Sequence, residues 1–432
     1  MADEAGNFIG QEQKKETGTQ AVSSLSAVPS AEASPAGTAA EQAAGLPASN
    51  EAALAKPEGT SALPDVEIAQ ERRARFAPAK EHPTASEIDA IDAKSLVFEP
   101  FGEEDVRNLR HYFYMRPNRT CDSAPLDSYL WRNYYKVRRC IVNDECVLMM
   151  MEDADITAAS MPLCPEEKLP AYFKLQERYF NEVLHMPYQI FLADEEGVAK
   201  LGKGDALSGY DVEEEVDLKD YLYDGETMRT LSGRKLSKKR NHIHKFEEAY
   251  AGRWNYRALN KDDKLEILAL LTSWKLQKDE VGEGEGVNDN QEHFDAMQSL
   301  DAEILGVHDV LNSDAVFANV KIGGVFIDGA LKAFSIGNYN PAEKMAVIDI
   351  EKADPDIIGL YQVINQQFLI HEFPDAELVN REDDVGLPGL RHSKLSYYPI
   401  DYARKYIVKQ QNFHLSDGKL EKSASRKARR TV

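Results

Sequence analysis

Cysteine is scarce in this 432-residue sequence: four residues, Cys121, Cys140, Cys146 and Cys164, with no C-x-x-C spacing among them. That argues against a disulfide-stapled scaffold or a zinc ribbon and points to reduced, buried or half-buried thiols. No apolar run reaches the roughly 18 residues that a membrane-spanning helix requires, and the most hydrophobic stretch, Cys146 to Met151, is the length of a strand. The N-terminus, Met-Ala-Asp-Glu-Ala-Gly-Asn, lacks the basic start and apolar segment of a secretory signal. These absences predict a soluble cytoplasmic protein without integral membrane association.

Positive charge is also in deficit. The chain has 51 Lys and Arg against 73 Asp and Glu, a formal net charge of -22, which disfavours indiscriminate nucleic-acid binding but leaves room for a local basic patch. Two segments run against the balance, Arg229 to Lys245 and the tail from Lys419 to Arg430.

Large apolar side chains are few from Met1 to about Ser86, a stretch dominated by Ala, Glu, Ser, Pro, Thr and Gly, and the leader is drawn over residues 1–94. Such a segment cannot bury enough apolar surface to offset about 1 to 2 kcal/mol of backbone entropy per residue, and it reads as a disordered leader. The tail 410–432 reads as basic and disordered. Between them, 95–228 and 229–409 read as two similar α/β halves.

In the first half, Glu103 to Tyr114 has helical spacing, and Lys136 to Val142 and Glu145 to Glu152 form a hairpin through Asn143-Asp144, with a further strand possible from Thr157 to Leu163. A helix from Ala171 to Leu184, ended by Pro187, then precedes a strand from Tyr188 to Ala193 and the acidic run Asp194-Glu195-Glu196. The second half repeats this order. Strands at Val316 to Ile322, Gly324 to Asp328, Ala330 to Asn338 and Met345 to Ile350 lead to Pro355, which is expected to open a helix from Asp356 to His371. Pro374, a short strand from Ala376 to Val379 and Glu382-Asp383-Asp384 follow. Helix, proline, strand and acidic run fall in register within a residue or two, which predicts a duplication of a mixed sheet with packed helices.

The segment between the halves forms an amphipathic basic helix, with Leu236, Ile243, Phe246 and Tyr250 on one side and Lys235, Lys238, His242 and Lys245 opposite. Such a face suits phosphates, whether of tRNA or of anionic lipid headgroups. The alternative is a self-neutralised surface, because Asp211 to Asp224 is rich in carboxylates. His242 and His244 are two residues apart and cannot share a helical face, so no metal site is expected there.

Several separated motifs carry a resemblance: Leu231-Ser-Gly-Arg-Lys-Leu-Ser-Lys-Lys-Arg-Asn-His-Ile-His-Lys-Phe246, Ile350-Glu-Lys-Ala353, Val379-Asn-Arg-Glu-Asp-Asp-Val-Gly386 and Gly389-Leu-Arg-His-Ser-Lys-Leu-Ser-Tyr-Tyr-Pro399. In this order they resemble the bacterial phosphatidylglycerol lysyltransferase C-terminal domain family, over about Ser95 to Lys409. The resemblance implies a tandem Gcn5-related N-acetyltransferase (GNAT) fold. It also implies transfer of an aminoacyl group from charged tRNA. Synthases of this family carry an N-terminal bundle of membrane helices where this chain has its leader, so the acceptor is left open.

The residues offer candidates for that chemistry. Asp349 and Glu351 alternate along a strand and are expected to project from one face, while Glu382 and Asp383 follow the neighbouring strand; these four are the candidate proton acceptors. Lys235, Lys238, Lys239, Arg240, Asn241 and Lys245 are the candidates for a polyanionic donor. Asn380, Arg381, Lys394 and Tyr397 are the candidates for holding substrate beside the carboxylates. Neither Ile350-Glu-Lys-Ala-Asp-Pro-Asp-Ile-Ile-Gly359 nor Met161-Pro-Leu-Cys-Pro-Glu-Glu-Lys168 resembles a Gly-rich pyrophosphate turn, which favours aminoacyl-tRNA over acyl-CoA as donor. No firm cofactor and no metal are expected. A coenzyme A-dependent N-acyltransferase and a non-catalytic RNA- or partner-binding protein stay open as alternatives. A tandem fold contains its own pseudo-dimer, which favours a monomer.

Overall fold

Hydrophobic alternation and hairpin turns produce two mixed seven-stranded sheets, seen in a computed structural model that describes residues 83–153, 156–282 and 290–413. The expected disorder of the leader before residue 83 and of the tail after 413 lies outside the described residues. Folded structure begins inside the segment read as leader. Thr84 caps a short helix, Ala85–Asp89, whose Ile88 is fully buried and packs in the same core as the Leu169–Arg178 helix.

The strands in chain order are β1 (Glu99–Pro100), β2 (Arg138–Val142), β3 (Cys146–Asp153), β4 (Ile156–Ala159), β5 (Gln189–Asp194), β6 (Tyr210–Glu214) and β7 (Asp220–Asp224). They continue with β8 (Trp254–Ala258), β9 (Lys321–Ile327), β10 (Ala330–Asn340), β11 (Met345–Ala353), β12 (Leu378–Asn380), β13 (Asp401–Ala403) and β14 (Lys405–Gln410). The first sheet has the order β1-β2-β3-β4-β5-β14-β6 and the second β13-β7-β12-β11-β10-β9-β8. Each has antiparallel strands on both sides of a single parallel pair, β4 with β5 and β11 with β12. This is the duplicated mixed sheet expected from the repeat, in the tandem layout that the family resemblance implies.

The boundary drawn at 228/229 does not follow the sheets. β7, from the first half of the chain, lies between β12 and β13, while the C-terminal β14 lies between β5 and β6. The halves exchange strands, and one apolar core joins them, with Val106, Leu109 and Leu130 packed with Ile322, Phe334 and Ile350.

Local differences have local causes. Pro355 does not open the second crossover helix, which runs Leu360–Glu372 after Gly359 in a left-handed conformation (φ 87°). The expected strand at Val316 begins instead with a short helix, Asp314–Phe317, capped by Ser313, and β9 starts at Lys321. The helix read from Glu103 to Tyr114 is two, Glu103–Asn108 and Arg110–Phe113. All four cysteines are buried and reduced.

Candidate functional site

β11 and β12 pair only from Met345 to Val347 against Leu378 to Asn380. Beyond that point β11 continues to Ala353 while the chain after β12 turns away, with Glu382 in a left-handed conformation (φ 56°). Past this pairing the ladder of the second sheet is open between β11 and β12, and this gap is the candidate cleft.

A β-bulge shapes its lining. Ile336 pairs with Ile350 and Gly337 with Ile348, so Asp349 is the extra residue. The expectation that Asp349 and Glu351 share a face is therefore corrected, because the bulge breaks the two-residue alternation on which it rested. Asp349 meets Asn338, whose Nδ2 donates to both carboxylate oxygens at 3.1 and 3.0 Å. Glu351 turns to the crossover helix and accepts from Asn365 Nδ2 at 2.9 Å.

Glu351 belongs to the mouth of the cleft. Arg381 donates to it at 3.0 Å and lies 4.9 Å from the centre of the Tyr397 ring. Lys239 approaches the same ring, at 4.1 Å. It comes from the basic helix, Ser237–Ala249, whose Leu236, Ile243 and Phe246 anchor it in the core. Burial and the neighbouring Arg381 lower the Lys239 ammonium to about 8, against the pull of Glu351. Two cations thus face one carboxylate here. Arg381 Nη1, though buried, finds no hydrogen-bond partner among the described residues.

The floor has the opposite balance. Asp122, Asp127, Asp220, Asp349, Glu382 and Asp383 interact there with two lysines, Lys394 and Lys405. Lys405 is fully buried, 2.9 Å from Asp220, 3.2 Å from Asp122 and 3.1 Å from Cys121 Sγ. Burial alone would lower its ammonium; Asp122 and Asp220 more than reverse that and hold it well above the ordinary lysine value. Burial raises the carboxyls of Asp127, Asp349, Glu382 and Asp383, and for Glu382 the nearby Asp349 adds repulsion. Cys121, Asp127 and Glu382 bring ligand atoms within 4.8 Å of one another, but the Lys405 ammonium already stands against the thiol.

The other candidates divide by role. Asn380 is fully buried; its Nδ2 donates to Arg119 O and Asp220, and its Oδ1 accepts from Glu382 N at 2.7 Å, so it shapes the turn rather than facing the cleft. Lys394 donates to the carbonyls of Arg381 and Asp383. Arg240 holds the carbonyls of Leu231 and Gly233, bracing the approach to the basic helix. Lys235 lies 5.2 Å from the Tyr398 ring, and Lys238, Asn241 and Lys245 are exposed along the same helix. The acidic stretch before that helix pairs elsewhere: Glu214 with Arg404, Asp217 with Arg391 and Asp220 with Lys405.

Asp122, Asp127, Asp220 and Lys405 were not recognised in the sequence. Asp220 on β7 and Lys405 on β14 arrive by strand exchange, while Asp122 and Asp127 come from the helical turn Cys121–Ser123 and the helix Pro125–Leu130, so no local pattern assembles them. The only signal was negative: a lysine opening an otherwise apolar alternation, Lys405-Tyr-Ile-Val408.

Residues 117–409 match the family described as phosphatidylglycerol lysyltransferase, C-terminal. A conserved protein of unknown function from Bacteroides thetaiotaomicron superposes with a TM-score of 0.63 at 23% identity, covering 73% of this chain and 100% of that one. The L-PGS structure from Bacillus licheniformis superposes with a TM-score of 0.51 at 13% identity, covering 73% and 95%. An uncharacterized protein of Mycoplasmoides gallisepticum is 29% identical over 190 residues, which span 44% of this chain and 55% of that relative. No helix among the described residues is long and apolar enough to cross a membrane. The matched residues include the cleft and all four of the motifs that line or flank it, and the chain belongs to the phosphatidylglycerol lysyltransferase C-terminal family of transferases.

Proposed function

We propose that the chain is an acyltransferase that moves an aminoacyl group from charged tRNA to an amine or hydroxyl acceptor in the cleft of the second sheet. The observation that carries this reading is the division of charge along the cleft. Lys239 and Arg381 at the mouth suit a phosphate, and the acidic floor suits an ammonium. The 3′ end of an aminoacyl-tRNA presents both groups, a phosphodiester and an aminoacyl ester bearing an ammonium. The exposed Lys238 and Lys245 extend the basic surface for the rest of the polyanion.

An acyl-CoA donor is less well served. Its pyrophosphate would be held at the N-terminus of the crossover helix. There a Cβ on Gly359 would collide with the carbonyl of His242, because the basic helix lies directly against this turn.

In the transfer, the acceptor nitrogen or oxygen attacks the ester carbonyl, its bond to carbon forms, and the bond to the tRNA 3′ oxygen breaks. The acceptor's proton passes through a carboxylate to the departing oxygen. Glu382 and Asp383 suit this relay, since raised carboxyls exchange protons closer to neutral pH. Arg381 and Lys239 are the donors available to a developing oxyanion.

The test is incubation of the protein with radiolabelled aminoacyl-tRNA and a cell extract. Label moving to a lipid, peptide or small amine supports the reading. Binding of tRNA without transfer of label would favour a non-catalytic RNA-binding protein, and absence of tRNA binding at low salt would refute the donor.

A further inference from the structure

The two lysines in the acidic floor are held in different ways. Lys405 sits on β14 between two strands of the first sheet, and it is 1% exposed. Lys394 is carried by a helix, Pro388–Leu395, that has no buried residue. Leu387, Leu390 and Leu395 are 46%, 44% and 44% exposed, so little apolar burial holds this helix down.

Its attachment is polar. Arg391 reaches Asp384 at 2.9 and 2.7 Å and Asp217 at 2.7 Å, and the Tyr223 hydroxyl donates to Lys394 O at 2.9 Å. The Lys394 ammonium itself donates to the carbonyls of Arg381 and Asp383. Residues in left-handed conformations flank the helix on both sides, Val385 (φ 41°) and Gly386 (φ 75°) before it and Tyr398 (φ 58°) after it. A short helix with few apolar contacts and turns at both ends is the kind of element that opens without unfolding the domain.

We infer that the cleft floor is a seat for a primary ammonium and that Lys394 is its tethered occupant, which a substrate amine displaces as the Pro388–Leu395 helix swings out. The inference rests on the reading of this cleft as the reaction centre. An ammonium fits the floor because it offers three donors to acceptors of two kinds, neutral carbonyls and carboxylates. Removing Lys394 leaves six carboxyl groups beside Lys405 alone. Asn338, 7% exposed and bonded through Nδ2 to Asp349 on this floor, keeps an Oδ1 with no donor among the described residues. That is a further acceptor for an incoming amine.

The experiment is calorimetric titration of the full-length chain with cadaverine as the probe, alongside hydrogen exchange across residues 386–398. K394M is expected to bind cadaverine about tenfold more tightly than the parent, since no tethered amine competes with the ligand. R391A frees the helix but keeps the lysine, and it is expected to bind with intermediate affinity. It also guards against misfolding of the first variant. Saturating cadaverine should speed amide exchange in 388–395 of the parent. Equal or weaker binding by K394M, or exchange that does not change on saturation, overturns the displacement. Absence of binding by all three proteins at millimolar cadaverine overturns the seat, and the label-transfer test of the acyltransferase reading stands apart from either result.

Discussion

The two sheets open the same gap and fill it differently. In the first sheet β4 and β5 touch as a parallel pair only at Ala159 and Ile190. At the end of β5, Asp194 accepts two bonds from Arg116, both of 2.6 Å, and caps the next helix through Gly197 N at 2.8 Å. The Arg116 and Asp194 side chains are 4% and 2% exposed, and the pair is charge-balanced. In the second sheet the corresponding turn carries Arg381, Glu382 and Asp383 among groups whose charges do not cancel. Buried charge is costly unless paired, so an unbalanced cluster persists where a ligand supplies the missing charge or where protons do. The gap in the first sheet closes on a paired Arg116 and Asp194, and the gap in the second holds the unbalanced cluster on which the proposed reaction centre rests.

The largest effect expected is Arg116→Met. It strands Asp194 and should destabilise the fold by about 3 to 5 kcal/mol in urea titration, with transfer by the surviving folded protein unchanged. Loss of transfer in protein that is still folded would break the comparison. Glu382→Gln should do the reverse, lowering label transfer about 100-fold with no loss in melting temperature. A fall in melting temperature without loss of transfer would make Glu382 structural.

A third contrast is pH dependence. Burial raises Asp127, Asp349, Glu382 and Asp383 above their unfolded values, so the native state holds protons that the unfolded chain has released. Their contribution to stability is fully present below the ordinary carboxylate range and is lost as pH rises through the raised values. The melting temperature should therefore fall between mildly acidic and neutral pH, and less steeply in Asp349→Asn. An equal slope in parent and variant would remove Asp349 from the cluster.

The smallest effect is expected at the surface. Lys238→Glu and Lys245→Glu should each weaken tRNA binding a few-fold and lower the salt dependence by about one unit per lost phosphate contact. Unchanged affinity would confine the anion site to Lys239 and Arg381.

Much of this architecture was readable from pattern. Leu236, Ile243 and Phe246 marked the buried face of the basic helix, and the spacing of helix, proline, strand and acidic run marked the repeat. Periodicity serves wherever each residue's environment depends on near neighbours. It failed at Asp349, where one inserted residue reversed the face, and at Pro355, where a left-handed Gly359 delayed the helix. The site was half legible for the same reason. Glu351, Arg381, Glu382 and Tyr397 sit in recognisable local motifs, whereas Asp122, Asp127 and Asp220 stand in segments that nothing nearby marks as part of the second sheet's cleft.

Composition and periodicity were enough to specify two α/β repeats and an amphipathic basic helix between them, because these depend on local propensity and short-range burial; the family resemblance rested on separated motifs. Which carboxylates meet was decided only when β7 and β14 crossed between the sheets, carrying Asp220 and Lys405 to the floor. Long-range strand pairing is set by the packing of the whole core, and with it the site's charge.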